Sequence, residues 1–320
     1  MEDERLDHAR AGLLVVILGA TATGKSDLAV RVARLLNGRI ISADSIQVYR
    51  GLDAGSCKPP DTARREIPHE LIDVADPEEP FSAGRFATLA TLAIETARAA
   101  GQTPIVVGGT GLYLRALLEG IAPMPARDDA LRRELYARAA RSSVEELHRE
   151  LGQVDPGAAG RIGPRDLQRI VRALEVVELT GLPLSHHIET SSFESGRHRS
   201  LKIGLTMERS RLYRRVEERV DRIFSAGIVD EVRSLLASGV PESANALKAL
   251  GYREVMSHLR GETDLPRAIE LVKRNTRRYA RRQIIWFRRE RDVQWFDPDA
   301  TPVDSIARIV AATFRETEGT

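Results

Sequence analysis

The eight residues 19–26, GATATGKS, follow the apolar run LLVVIL and precede the amphipathic stretch DLAVRVARLL. Few folds accommodate that arrangement. A continuous run rich in β-branched residues is the pattern of a strand buried on both faces of a parallel sheet. Beyond the loop, Leu28, Ala29, Val32, Leu35 and Leu36 recur at helical spacing, and Asn37-Gly38 supplies the stop. The G-x-x-x-x-G-K-S spacing between them serves a mechanical purpose. Glycines let backbone amides curl around phosphate oxygens, Lys25 adds positive charge, and the Ser26 hydroxyl is placed to ligate Mg²⁺. Gly19, Ala20, Thr21, Ala22, Thr23, Gly24, Lys25 and Ser26 are therefore expected to bind a diphosphate. The loop alone leaves open whether that diphosphate belongs to ATP or to another molecule.

The rest of the first third repeats the strand-and-helix rhythm. RIISAD (39–44) is a second short strand ending on Asp44; a turn-rich stretch containing HELID follows, then a helix near 82–100, and PIVVGGT (104–110) is a third buried strand. This alternation predicts an α/β fold, a P-loop NTPase-like parallel sheet flanked by helices. Ligands of such sheets gather at the carboxyl ends of the strands, where Asp44 and Thr110 would join the loop. Asp44 at that edge suits a magnesium ligand or a general base.

The pattern changes at 121–125. Segments such as DDALRRELYARAA, VEELHREL and PRDLQRIVRALEVVELTG are helical, and the strand pattern returns only at LKIGLTM (201–207). Residues 123–199 are expected to be an all-helical insertion in a core of 12–122 and 200–314, with mobile tails at 1–11 and 315–320. Helical patterns recur at 210–226, 228–239, 252–260 and 265–291, and QWFDP (294–298) predicts a last short strand.

A single cysteine, Cys57, excludes an internal disulfide and any site built from several thiolates. A cytoplasmic protein is expected, with Cys57 an incidental thiol. No run approaches the ~20 apolar residues of a membrane span, and no signal peptide is expected. Net charge is only +2, yet residues 267–291 carry ten basic residues against two acidic. With Ile269, Val272, Tyr279, Gln283, Trp286 and Phe287 on an apolar stripe, the remaining face is expected to meet nucleic-acid phosphates. In the insertion, Arg165, Gln168, Arg169 and Arg172 fall on one side of a helix, opposite Leu167, Ile170, Val171 and Leu174. His186-His187 has no acidic or thiol partner at useful spacing, so it is expected to be a solvated pair.

In order, GATATGKS, ISADSIQVYRGLDAGSCKP, PHELID, VVGGTGLYLRALLEG, DLQRIVRALEV with TGLPLS, and ALGYRE resemble the tRNA dimethylallyltransferase family over residues 13–296. The resemblance implies transfer of a dimethylallyl group from dimethylallyl diphosphate to the exocyclic amine of the adenosine immediately 3′ of the anticodon. The tRNAs would be those that read codons beginning with U, and diphosphate would leave with help from Mg²⁺. It further implies that Asp44 is the general base, that Thr110 orients the attacked base, and that Arg215 assists Lys25 at the leaving group. Implied contacts to the tRNA anticodon stem-loop are Asp44, Ser45, Ile46, Gln47, Thr110 and Arg132. To these the resemblance adds Gln168, Arg169, Ile170, Val171 and Arg172, and then Lys248, Gly251, Tyr252 and Arg253. A monomer is expected. The rival readings are a small-metabolite or nucleotide kinase, an adenylate isopentenyltransferase and a non-catalytic RNA-binding module. DSIQVYRGLDAGSCKP and the basic carboxyl-terminal region distinguish the tRNA enzyme from the kinase.

Overall fold

The computed structural model describes residues 12–190 and 198–319, so the tail expected at 1–11 lies outside the described residues. Strands β1 (Leu14–Gly19), β2 (Gly38–Ser42), β3 (His69–Glu70), β4 (Thr103–Gly108), β5 (Ser200–Leu205) and β6 (Val293–Phe296) form one sheet. Their order is β3-β2-β4-β1-β5-β6, and every neighbouring pair is parallel. β1 is central, hydrogen-bonded to β4 on one side and β5 on the other. The chain leaves β1 toward β2 and later returns on the opposite side as β5, so the loop after β1 opens at the topological switch point of the sheet.

Alternation along β1 divides its side chains between two layers. Leu14, Val16 and Leu18 pack with helices α3 (Ala83–Ala99) and α4 (Gly111–Leu118). Val15 and Ile17 pack with α1 (Lys25–Leu36); the next helix, α2 (Asp61–Glu66), buries no residue of its own, but Ile67 at its end joins the same cluster. Both faces are covered, which is why the strand reads as an unbroken apolar run.

The chain divides into two compact units: a second begins at Glu119 and takes in the described residues through Thr190. That unit consists of helices α5 (Asp129–Arg141), α6 (Val144–Val154), α7 (Pro156–Arg161), α8 (Leu167–Thr180) and α9 (Leu184–Thr190). Its own core gathers Leu135, Leu147, Leu151, Ile170, Val171 and Leu174. Serine and aspartate side chains cap four of these helices, Asp128, Ser143, Asp155 and Asp166, each accepting from amides of the first turn.

The first unit continues with α10 (Arg209–Ser225), α11 (Ile228–Ala237), α12 (Tyr252–Leu259), α13 (Leu265–Phe287) and α14 (Val303–Glu318). α14 completes the layer against α1 with Ile306, Val310 and Phe314. A further cluster joins Ile223, Ile228, Val232 and Tyr252 to Val48, Tyr49 and Leu52, so the segment after Asp44 rests on the carboxyl-terminal helices.

Four expectations need correction. β3 was not expected: at two half-buried residues it is too short to show alternation. Residues 315–318 are not a mobile tail but the last turn of α14, where Arg315 Nη2 donates to the Leu35 carbonyl at 2.8 Å. α13 stops at Phe287 instead of running to 291. Arg165 stands outside α8, because Asp166 caps that helix, and it pairs with Glu145 at 3.2 Å.

Candidate active site

The loop after β1 leaves the sheet at Gly19, where φ is +144° and a Cβ would lie 2.5 Å from the Leu205 carbonyl oxygen. It ends at Gly24, whose left-handed backbone starts α1. Two side chains hold its shape from within: the Thr23 hydroxyl donates to the Ala20 carbonyl at 2.9 Å, and Lys25 Nζ donates to the same oxygen at 2.6 Å. Thr23 is thus turned inward. Thr21, Ala22, Gly24, Lys25 and Ser26 line a cavity of about 370 Å³. Gly19, Ala20 and Thr23 line a separate space behind the loop, so within GATATGKS they serve its conformation and not the wall of this cavity.

Across the cavity stands α10. Leu212, Val216, Val220 and Ile223 bury one face of that helix, which leaves Arg215, Arg219 and Arg222, at spacings of four and three, on the cavity wall. Arg215 was expected there from the resemblance; Arg219 and Arg222 were missed. The signal lay in the sequence as arginines set just beside an apolar helical stripe.

These cations alter Lys25. Loss of hydration by burial, reinforced by Arg219 and partly offset by Asp44, lowers its pKa from 10.5 to about 7. A bound diphosphate reverses that balance, so binding and protonation are linked. Below about pH 7 the ammonium is already formed; above it, each pH unit should cost up to about tenfold in affinity as binding must take up a proton. Titrating inorganic pyrophosphate at about pH 8.5 in buffers of different ionisation enthalpy should therefore give a proton uptake greater in the parent than in Lys25→Ala by close to one proton, the ligand's own titration being common to both. Equal uptake by the two would mean that Lys25 is already charged in the empty cavity.

Asp44 lies two residues past the end of β2. Its Oδ1 accepts the amides of Ile46 at 2.8 Å and Gln47 at 3.3 Å, which sets the carboxylate at the sheet edge. Gln47 is an internal brace: it accepts from the Ser42 hydroxyl and donates to the carbonyls of Ser56 and Cys57. Thr110 Oγ1 accepts the Ser45 amide at 3.3 Å, joining the ends of β2 and β4. Tyr279 lines the cavity with Asp44 and Gln283, and burial, with Asp44 adding to it, pushes its phenol up to about 12.

A second cavity of about 290 Å³ adjoins this one, walled by Ser45, Ile46, Gly55, Leu250, Gly251 and Val272 among others. Thr21, Asp44, Arg219 and Tyr279 line both. Asp44 therefore stands where a cationic, phosphate-sized cavity meets a more apolar one.

Gln283 was expected only as part of a buried stripe, yet it ties the site together. Its Oε1 accepts the Thr21 amide at 2.8 Å and its Nε2 donates to the Gly109 carbonyl at 2.8 Å. An amide is the neutral side chain able to do both. It explains Gly109, where a Cβ would come within 2.3 Å of Nε2.

A match to the IPP transferase family model spans residues 47–290, and an isopentenyl transferase model matches residues 12–72. The chain belongs to the IPP transferase family. A tRNA dimethylallyltransferase of Geobacter metallireducens is 49% identical over 284 residues, 89% of this chain and 92% of the relative. The full-length tRNA isopentenylpyrophosphate transferase of Bacillus halodurans aligns with TM-score 0.70 and 39% identity over 96% of this chain and 98% of that one. A eukaryotic dimethylallyltransferase solved acting on tRNA aligns with TM-score 0.78 and 26% identity, covering 97% of this chain and 80% of that one. The kinase and adenylate prenyltransferase readings receive no support from these relatives.

Some of the residues the family resemblance assigned to tRNA do other work. Ile170 and Val171 are buried in the core of the helical unit and offer a ligand no side-chain surface. Arg132 and Arg172 both bond the fully buried Glu175, and Arg172 also donates to the Pro125 carbonyl. Burial alone would raise the Glu175 carboxyl, but the two guanidiniums and the Asp128 amide hold it at about 2. Tyr252 is buried too, its hydroxyl donating to Glu231 at 2.7 Å, while the same carboxylate accepts the amides of Asp53, Ala54 and Gly55. Gln168, Arg169, Lys248 and Arg253 remain exposed. On α13, Arg267, Arg274, Arg278, Arg281 and Arg282 are exposed, whereas Lys273 and Arg277 are paired with Asp221 and Glu217. Cys57, expected to be incidental, lines the first cavity, and burial raises its thiol. His187 meets the Thr180 hydroxyl through Nε2 at 3.1 Å.

Among the described residues no group of three or more His, Cys, Asp or Glu is placed to hold a metal ion. The exposed Ser26 hydroxyl on the cavity wall fits a cation of a different habit, Mg²⁺, which keeps water and phosphate oxygens as most of its ligands. Among the described residues, too, no helix is long and apolar enough to cross a membrane.

Proposed function

We propose that this chain transfers a dimethylallyl group from dimethylallyl diphosphate to the exocyclic amine of the adenosine immediately 3′ of the anticodon, in tRNAs that read codons beginning with U. The observation that carries the reading is the position of Asp44, shared by a cavity lined by Lys25, Arg215, Arg219 and Arg222 and a second cavity lined by Ile46, Leu250 and Val272.

The chemistry follows from the residues. The donor diphosphate lies among the amides of Ala22 and Gly24, the Lys25 ammonium and the α10 arginines. A divalent cation held by Ser26 would add positive charge to the diphosphate oxygens. The adenine enters the second cavity, with its amine at Asp44 and Thr110. As the amine lone pair bonds the first carbon of the prenyl group, the carbon–oxygen bond breaks and its electron pair leaves with diphosphate. The growing negative charge falls on groups already aimed at it, so little reorganisation is needed. The proton shed by the amine passes to the Asp44 carboxylate. The target base must first leave its stack in the anticodon loop, at a cost of roughly a few kcal/mol. Exposed arginines of α13 bind the RNA backbone to offset that cost. The enzyme acts in the cytoplasm as a monomer.

The test is an incubation of the purified protein with Mg²⁺, radiolabelled dimethylallyl diphosphate and an anticodon stem-loop, without ATP. Label should enter the RNA and vanish when the adenosine 3′ of the anticodon is replaced by guanosine. No label in the RNA, with transfer to AMP or consumption of ATP when either is supplied in a parallel incubation, would overturn the proposal.

A further inference from the structure

Arg215 lines the diphosphate cavity, and it is already engaged. Its Nη2 donates to Oδ1 of Asp299 at 3.1 Å, while Nη1 of Arg211, one helical turn earlier on α10, lies 3.3 Å from Oδ2 of the same carboxylate. The Asp299 side chain is 18% exposed, against 39% for that of Arg215 and 58% for that of Arg211. Its carboxylate is the most enclosed group of the trio. It sits in a tight turn just after β6, where Asp297 Oδ1 accepts the Asp299 amide at 2.9 Å and the Asp297 carbonyl accepts the amides of Ala300 and Thr301. Neither Asp299 nor Arg211 belongs to the cavity wall.

The physical consequence is a competition. A guanidinium has five N–H donors in a planar fork, so contact with a carboxylate on one edge leaves the other edge for a phosphate. That carboxylate orients the fork and also subtracts from the positive charge the phosphate feels. Lys25, Arg219 and Arg222 share the same cavity, whose carboxylates are Asp27, Asp44 and Glu218. A site with four cations on its wall risks holding the product diphosphate as tightly as the donor, and binding both equally well gains nothing for turnover.

We propose that Asp299 is a positioning residue for Arg215: it holds the guanidinium at the rim of the cavity and weakens its grip on diphosphate, so that product leaves. This rests on the reading of Arg215 as a diphosphate contact.

The experiment measures binding of inorganic pyrophosphate with Mg²⁺ by calorimetry, together with kcat, for the parent, Asp299→Asn, Arg215→Ala and the double variant. Asn keeps the size and the amide that closes the turn but removes the charge. Arg215→Ala should weaken pyrophosphate, and if it does not, the reading beneath the proposal fails and the proposal with it. Asp299→Asn should tighten pyrophosphate about five- to tenfold while lowering kcat. In the Arg215→Ala background the same substitution should change pyrophosphate affinity less than about twofold, since the residue it acts through is gone. Unchanged or weakened pyrophosphate binding in Asp299→Asn, with Arg215→Ala weakened as expected, would overturn the role of Asp299 alone. So would a tightening that persists without Arg215.

Discussion

Asp44→Asn should lower kcat by about 10²- to 10⁴-fold, the usual contribution of a general base. The substitution is chosen because it separates chemistry from architecture. Asparagine keeps an oxygen that accepts the Ile46 and Gln47 amides now bonded to Oδ1, so the turn at the end of β2 survives. What disappears is a group able to take the proton from the amine. Donor and tRNA affinity should therefore stay near the parent values while single-turnover transfer slows by the full factor. Normal turnover would remove Asp44 from the mechanism and reduce it to a cap on the 45–47 turn.

Lys25→Ala should lower kcat/KM for the donor by about 10²- to 10³-fold, on the scale of losing one charge aimed at a developing oxyanion. The cavity keeps Arg215, Arg219 and Arg222, which limits the loss. Stability should move in the other direction. Burial lowers the Lys25 pKa from 10.5 to about 7, so between those values the unfolded chain binds the extra proton more strongly than the fold does. Lys25 thus costs stability at neutral pH and below, and the cost fades as pH rises through that window. The Ala variant should melt no lower than the parent at pH 7 in a calorimetric scan, while pyrophosphate affinity falls. A variant that loses activity only because it melts earlier would refute this assignment.

GATATGKS and its flanks were enough to expect β1, α1 and a phosphate loop, because each depends on neighbours within a few residues. A strand buried on both faces needs an apolar run, a helix needs its stripe, and a loop that bares its amides needs glycine at set positions. Asp44 and Thr110 were placed at the same edge for a related reason: in a parallel sheet, strand ends that follow buried runs converge. Arg219 and Arg222 showed in the sequence only as arginines beside an apolar stripe, and Gln283 was not legible as a site residue. Gln283 in a stripe of Val272, Ala280 and Phe287 looks like filler until the Thr21 amide and the Gly109 carbonyl are seen 2.8 Å from its two ends.

Arg132, Arg172 and Tyr252 carry groups that suit RNA, and in the fold each bonds a carboxylate, Glu175 or Glu231. The buried Glu175 requires partners, and a chain read in one dimension does not reveal which cations are engaged with it. By itself, then, the order of residues determined the sheet, the phosphate loop and the chemical kind of each strand-end group, all properties set by local periodicity and backbone freedom. Only the tertiary structure decided which arginines line the cavity beside the loop, that Asp44 is shared by two cavities, and that Asp299 pairs with Arg215. Those depend on contacts between residues far apart in the chain, and burial and charge pairing are settled only when such residues meet.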